Sequence, residues 1–254
     1  MAGVSRLQYS SEIRLIRVMC TGRVDLSFII HGLLNGADGV FIGGCHPGEC
    51  NYMVQGNYHA LNVVHLCKKI MENIGINPER LMIDWCNASE GIQFSRIMND
   101  FSRKVRELGP LGKSEGIDKN ELKNKIKEVK KLIPYIKMTK KEKLQTHLEK
   151  LEDYDGFFTS EEIETLFREV PSYYIDPEKC QACGICLKKC PVEAISGAKN
   201  QIHVIDQERC IKCGTCFESC PPRFGAIKKI VGEPAPPPPL PEDQRNIVRK
   251  GKVK

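Results

Sequence analysis

The chain has 254 residues, 41% of them hydrophobic and 28% charged, a balance that excludes a disordered chain. Its longest apolar stretches, such as residues 39–44, fall far short of the roughly 18 residues a membrane helix needs, so no membrane span is expected. The start Met-Ala-Gly-Val-Ser-Arg has no basic-then-apolar pattern, so a cytoplasmic protein is expected, and thirteen cysteines there point to metal ligands rather than disulfides.

The apolar run 13–19 predicts a first strand. Leu26, Ile29, Ile30, Leu33 and Leu34 recur at helical spacing and stop at Gly36, predicting a helix. Residues 40–42 predict a short buried strand. A second helical face holds Val63, Leu66, Cys67, Ile70, Met71 and Ile74, closed by Gly75 with Pro78 beyond. Residues 81–85 predict a third strand. Phe94, Ile97, Met98, Phe101, Val105 and Leu108 predict a third helix, ended by Gly109-Pro110. Strands alternating with helices predict a small α/β domain over residues 1–110, with right-handed crossovers and a parallel sheet. Three strands make a thin sheet, so the domain is expected to be short of an N-terminal piece.

Residues 111–170 read as a charged helical linker. Twelve lysines against six acids between positions 113 and 150 account for the whole net charge of +6. Both signs mix at i,i+4 spacing, as in Glu121 and Lys125, and Tyr135 alone among Phe, Tyr and Trp interleaves, which makes no row of stacking platforms. A solvated helix is therefore expected, and no nucleic-acid contact. Thr159 and Glu162 fit a capping box ahead of Ile163, Leu166, Phe167 and Val170. Residues 232–254 are proline-rich and then polar. They predict extended polyproline II and an arm that lies on a neighbouring protein or is disordered.

Residues 171–231 carry the dominant signal. Cys180, Cys183, Cys186 and Cys190-Pro191 form a C-x2-C-x2-C-x3-C-P run, and Cys210, Cys213, Cys216 and Cys220-Pro221 repeat it 30 residues later. Three cysteines two residues apart wrap one face of a cubane, and the next one points away from it. In a duplicated domain that fourth cysteine ligates the other cluster. One 4Fe–4S cluster is thus expected on Cys180, Cys183, Cys186 and Cys220, and a second on Cys190, Cys210, Cys213 and Cys216. Zinc sites usually pair two CxxC units per ion, without the third cysteine or the proline. Gly184 and Gly214 leave room for backbone near the sulfides, and the pairs Ala194-Ile195 and Ala226-Ile227 predict short strands. The stretch Pro221-Pro222-Arg223-Phe224-Gly225 lengthens one loop without changing the ligand set. The region resembles a bacterial-type two-cluster ferredoxin domain, an α+β fold.

In the first domain Cys20, Cys45 and Cys86 each follow a predicted strand. The carboxyl ends of parallel strands form the functional edge of such a sheet, and Cys50 adds a fourth thiol. Cys67 sits on an apolar helix face and reads as a small buried hydrophobe. Several segments here are uncommon and ordered alike: Ser5-Arg6-Leu7-Gln8-Tyr9, Val18-Met19-Cys20-Thr21-Gly22-Arg23, Gly36-Ala37-Asp38-Gly39-Val40, Gly44-Cys45-His46-Pro47-Gly48-Glu49-Cys50, Gly56-Asn57-Tyr58 and Ala88-Ser89-Glu90-Gly91. With them the chain resembles the delta subunit of methyl-viologen-reducing nickel–iron hydrogenases over residues 3–110.

That resemblance implies a 2Fe–2S electron-transfer domain with Cys20, Cys45 and Cys50 among the ligands, and His46 in a loop-positioning role. Family members begin with a further strand and a Cys-x-x-Cys loop that this sequence does not show. The fourth ligand is then absent, supplied from elsewhere, or Cys86, which is not a cysteine in the family pattern. The implied partners are a flavin-containing heterodisulfide reductase A-type protein and, as electron donor, a hydrogenase, a formate dehydrogenase or a ferredoxin, in an anaerobe. The expected function is a relay of electrons without a catalytic site. The alternatives are a stand-alone ferredoxin-type carrier or oxidoreductase and a structural iron–sulfur protein that binds nucleic acid. Residues 43–48 are glycine-rich after a strand but lack the GxGxxG spacing of a dinucleotide site.

Overall fold

The structure is a computed structural model that describes residues 6–50 and 56–237. Helix α1, Leu26–Leu34, starts where the Asp25 carboxylate accepts from the Ser27 N–H at 2.9 Å, satisfying an otherwise orphaned donor. It buries Leu26, Ile29, Ile30 and Leu33, the face its spacing predicts. Strand β1 is Val40–Gly44, helix α2 is Gly56–Ile74, strand β2 is Leu81–Trp85 and helix α3 is Gly91–Leu108. β1 and β2 pair in parallel, with Val40 opposite Leu81 and Gly44 opposite Trp85. Between α2 and β2 a turn carries Arg80, whose guanidinium is fully buried and bonded to Glu115 at 2.6 Å.

The first predicted strand does not form. Residues 13–19 run as irregular chain, and Leu15, Ile16 and Met19 are 64%, 87% and 74% exposed. A strand needs a ladder partner as well as apolar residues, and among the described residues nothing pairs with this segment. The parallel sheet there has two strands, where three were expected.

Helices α4 (Lys119–Thr139), α5 (Lys141–Gln145) and α6 (Ser160–Arg168) occupy the charged stretch 111–170, the first two in its lysine-rich part. One face is solvated and ion-paired, with Lys125 at 2.9 Å from Glu121. The opposite face holds Leu122, Ile126, Val129, Ile133 and Ile136 at steps of four and three, all at most 5% exposed. This stretch therefore contributes core as well as surface. The α2 residues His59 and Asn62 hold its Leu144 carbonyl at 3.0 and 3.2 Å, and Asn62 also donates to Thr146 O at 2.7 Å. At α6 the Thr159 hydroxyl accepts from the Glu162 N–H at 3.2 Å, half of the expected capping box. The Glu162 carboxylate turns to Lys140 and Lys143 instead of completing the box.

The chain divides into two compact units, one holding residues up to 133 with 139–165, the other 134–138 with those from 166 on. In the second, β3 (Pro171–Ile175) pairs antiparallel with β6 (Ile227–Val231), and β4 (Ile195–Ser196) with β5 (Val204–Ile205). Short helices α7 (Ile185–Lys189) and α8 (Thr215–Ser219) follow the cysteine loops. The duplication seen in the sequence is close enough to repeat the hydrogen bonds. Asp176 N donates to Ala226 O and Asp206 N to Ala194 O, both at 2.7 Å, and Cys180 N and Cys210 N donate to Asp176 O and Asp206 O at 3.0 Å. The strands predicted after Ala194 and Ala226 are β4 and β6. From residue 238 on, the proline-rich run and the tail lie outside the described residues. Among the described residues no helix is long and apolar enough to cross a membrane.

Candidate metal centres

The eight clustered cysteines line two small, partly open cavities. Cys180, Cys183, Cys186 and Cys220 line one, walled by Ile175, Phe224, Ala226 and Ile227. Cys190, Cys210, Cys213 and Cys216 line the other, walled by Tyr173, Ile195, Ile205 and Ile211. Each cavity thus takes three thiols from one run and the fourth from the other run, the grouping that the spacing predicts. Cys190 and Cys220 end helices α7 and α8, so a single helical turn carries each fourth thiol away from its own loop. Among the described residues no three His, Cys, Asp or Glu side chains close on a single ion. The two thiol sets surround a volume instead.

Backbone geometry repeats at both loops. Ala182 and Lys212 take φ of 48° and 58°, and Gly184 and Gly214 take 74° and 77°. Alternating handedness turns successive N–H groups to one side and forms a concave nest for an anion, a geometry found at Fe–S sites. Ala182 and Lys212 hold it at a strain of about 1–2 kcal/mol each, because a Cβ crowds the backbone there. Sequence reading singled out the glycines and missed these two.

Burial, reinforced by the neighbouring thiols, pushes Cys186 up to about 11 and Cys216 up to about 12. Four deprotonated thiolates at one apolar cavity are unfavourable alone, and metal charge offsets that cost. Four soft thiol donors, apolar walls and N–H nests are the surroundings a 4Fe–4S cluster requires, and the residues of both cavities fit it.

In the first unit, three thiols meet at the carboxyl edge of the parallel pair. Cys20 Sγ and Cys50 Sγ lie 3.8 Å apart. Burial raises the Cys45 thiol, and the adjacent Cys50 raises it further. Cys20 does not end a strand: it caps a 3-10 turn at Thr21–Arg23, its Sγ accepting from Gly22 N at 3.4 Å. Cys86 points elsewhere, its thiol 3.3 Å from Glu90 O and 3.5 Å from Asn87 O. Cys67 is fully buried on α2, and burial pushes its thiol up, as expected of a small core hydrophobe. A 2Fe–2S cluster takes four protein ligands. Among the described residues these thiols supply three, so the set does not by itself fit that cluster.

The loops around the three thiols are tied together. His46 Nε2 bonds Glu90 Oε2 at 2.9 Å, and Asn87 Nδ2 donates to Glu49 Oε2 at 2.6 Å. The Glu90 contact raises His46, and the Asn87 N–H followed by His46 lowers Glu90, so each group favours the charged form of the other. His46 holds the loop, as expected. Asn57, fully buried, adds a support that the sequence did not reveal, donating to Cys45 O at 3.2 Å and His46 O at 2.9 Å.

Gly56 sets how closely the thiols approach. A Cβ there would fall 2.5 Å from Cys20 Sγ and 3.0 Å from Cys50 Sγ. Gly56→Ala is expected to lower stability by about 1–3 kcal/mol, the usual cost of overpacking, seen as a lower urea midpoint. Adding Cys20→Ala, which deletes the clashing sulfur, should recover most of the loss. An unchanged midpoint in the single variant would show that the thiols are not held there.

Two family models match the sequence. Residues 1–109 match the methyl-viologen-reducing hydrogenase delta subunit, and residues 173–228 match a 4Fe-4S dicluster domain. The iron-sulfur subunit of the F420-non-reducing hydrogenase of Archaeoglobus profundus is 46% identical over 110 residues, covering 43% of this chain and 80% of that protein. The iron-sulfur subunit of the vhc F420-non-reducing hydrogenase of Methanococcus voltae is 48% identical over 118 residues, 46% of this chain and 81% of its own length. The A-type subunit of a CoB-CoM heterodisulfide reductase from Methanosarcina acetivorans is 40% identical over 112 residues, 44% of this chain but 14% of that larger protein.

Proposed function

This chain belongs to the methyl-viologen-reducing hydrogenase delta-subunit family, and from that membership we propose that it relays electrons to a heterodisulfide reductase A-type flavoprotein in the cytoplasm of an anaerobe. It is an iron–sulfur electron-transfer subunit of the hydrogenase and heterodisulfide reductase kind, with clusters of the 4Fe–4S type. The donor is a hydrogenase, a formate dehydrogenase or a ferredoxin. The carrying observation is that four thiols line each of two cavities in a unit joined to a delta-subunit domain.

When bound, 4Fe–4S clusters supply one-electron carriers. Cys180, Cys183, Cys186 and Cys220 would hold one, and Cys190, Cys210, Cys213 and Cys216 the other. The apolar walls cover Cys180, Cys186 and Cys216, which are buried, whereas Cys183 is exposed, and the N–H nests place partial positive charge near the sulfur. Outside the nests, Ala194 N donates to Cys190 Sγ at 3.2 Å. No step is assigned to Cys20, Cys45 and Cys50.

Iron and acid-labile sulfide per chain, measured anaerobically with EPR of the dithionite-reduced protein, test this reading. Two 4Fe–4S clusters predict about eight iron atoms and interacting 4Fe–4S signals. About ten, with a 2Fe–2S signal that persists on warming, would add the three-thiol site to the relay. Zinc in place of iron, or clusters that dithionite does not reduce, would overturn the reading. Reduced chain should also reduce the flavin of a heterodisulfide reductase A-type protein.

A further inference from the structure

The thirty-residue repeat sets Tyr173 and His203 at equivalent positions, seven residues before Cys180 and Cys210. Each side chain serves the other half of the unit. Tyr173 lines the cavity of Cys190, Cys210, Cys213 and Cys216, whereas His203 lines that of Cys180, Cys183, Cys186 and Cys220. The fold thus lays a phenol against one thiol set and an imidazole against the other.

His203 is 2% exposed, and its Nδ1 lies 3.7 Å from Cys180 Sγ, within hydrogen-bond range for sulfur. A metal-bound thiolate has no proton to give, so Nδ1 carries the proton and donates. The ring is closely housed: a Cβ on Gly197 would fall 2.4 Å from its Cδ2. The other thiol set has a different side-chain donor, Thr215, whose hydroxyl lies 3.3 Å from Cys213 Sγ. The repeat equivalent of Thr215 is Ile185, which has no donor to offer.

We propose that His203 is a positioning residue that raises the reduction potential of the cluster on Cys180, Cys183, Cys186 and Cys220, through a buried N–H···S hydrogen bond. This rests on the ligand assignment above. Reduction adds negative charge that the sulfurs share, so a fixed donor at one sulfur favours the reduced form. Burial strengthens the contact, because little water screens it. Thr215 acts likewise, from a more exposed place, on the other cluster. The two potentials are therefore set by separate side chains and can be moved one at a time.

The test is an EPR-monitored anaerobic redox titration of the full chain, with iron counted for every variant. His203→Phe keeps a ring and removes the N–H. It is expected to shift one midpoint down by about a tenfold change in that site's reduction equilibrium, 59 mV for one electron. His203→Asn, which keeps an N–H near the Nδ1 position, should restore most of it. Thr215→Val should lower the other midpoint, which assigns the two signals. Where His203→Phe fails to retain iron, His203→Leu replaces it, since leucine also has no donor and is smaller. Midpoints unmoved by either donor-free variant, or moved equally, would overturn the role of His203 while leaving the two-cluster reading intact. Parent chain without two 4Fe–4S signals would overturn both.

Discussion

Replacing Cys190 with alanine is expected to remove the cluster shared with Cys210, Cys213 and Cys216, and to leave the one held by the run in which Cys190 itself lies. Iron should fall from about eight to about four atoms per chain. The competing arrangement keeps each run of four on its own cluster, and the single variant alone does not separate the two. Paired variants do. If Cys190 shares a cavity with Cys213, as the cavity linings have it, Cys190→Ala with Cys213→Ala still retains about four irons. Cys190→Ala with Cys183→Ala then retains almost none, because each change breaks a different site. The reverse pattern would show that each run closes on itself. Cys220 gives the mirror test with Cys183.

The second large effect concerns the delta-subunit domain and has nothing to do with metal. Arg80→Met is expected to cost about 3–5 kcal/mol of stability, measured by urea unfolding of the first unit's secondary structure within the whole chain. Arg80 is fully buried. Its guanidinium donates to Glu115 at 2.6 Å, to the Asp38 and Gly109 carbonyls at 2.9 Å, to Pro110 O at 3.2 Å and to Ser114 Oγ at 2.9 Å. Methionine fills similar volume but strands Glu115 as a buried, unpaired carboxylate. Adding Glu115→Gln should therefore recover part of the loss, since a neutral amide costs less to bury than a lone charge.

A pH dependence follows with a definite sign. Burial alone would raise Glu115, but the bonds from Arg80 and the Asn77 N–H outweigh it and hold the carboxyl at about 2, below its ordinary 4.5. A depressed folded value means the unfolded chain binds the proton first. The contribution is complete above pH 4.5 and is lost as pH falls from there through about 2. In Glu115→Gln that part of the acid slope should vanish.

These two sites show how unevenly a sequence displays its structure. Helices α1, α2 and α3 were legible because their apolar spacing and their glycine stops lie within one stretch of chain. Strand β2 was legible for the same reason. The lysine-rich stretch held a readable signal that its charge obscured: Leu122, Ile126, Val129, Ile133 and Ile136 recur at core spacing among twelve lysines. Residues 13–19 misled in the other direction. Their apolar content suits a strand, but pairing is decided by a distant segment, and here none of the described residues supplies it.

Which cysteines are candidate cluster ligands was written in the sequence by itself. Ligand spacing on one loop is a local matter, and the repeat 30 residues later told which cysteines belong to equivalent loops. Helical periodicity and the delta-subunit motifs were equally local. Only the tertiary structure decided what meets across distance. It brought Cys20 to within 3.8 Å of Cys50, let Gly56 sit against both, and buried Arg80 on Glu115. It also sent Tyr173 and His203 each to the far cavity. Such meetings depend on how several loops pack at once, and chain spacing carries no information about that until the core between them has formed.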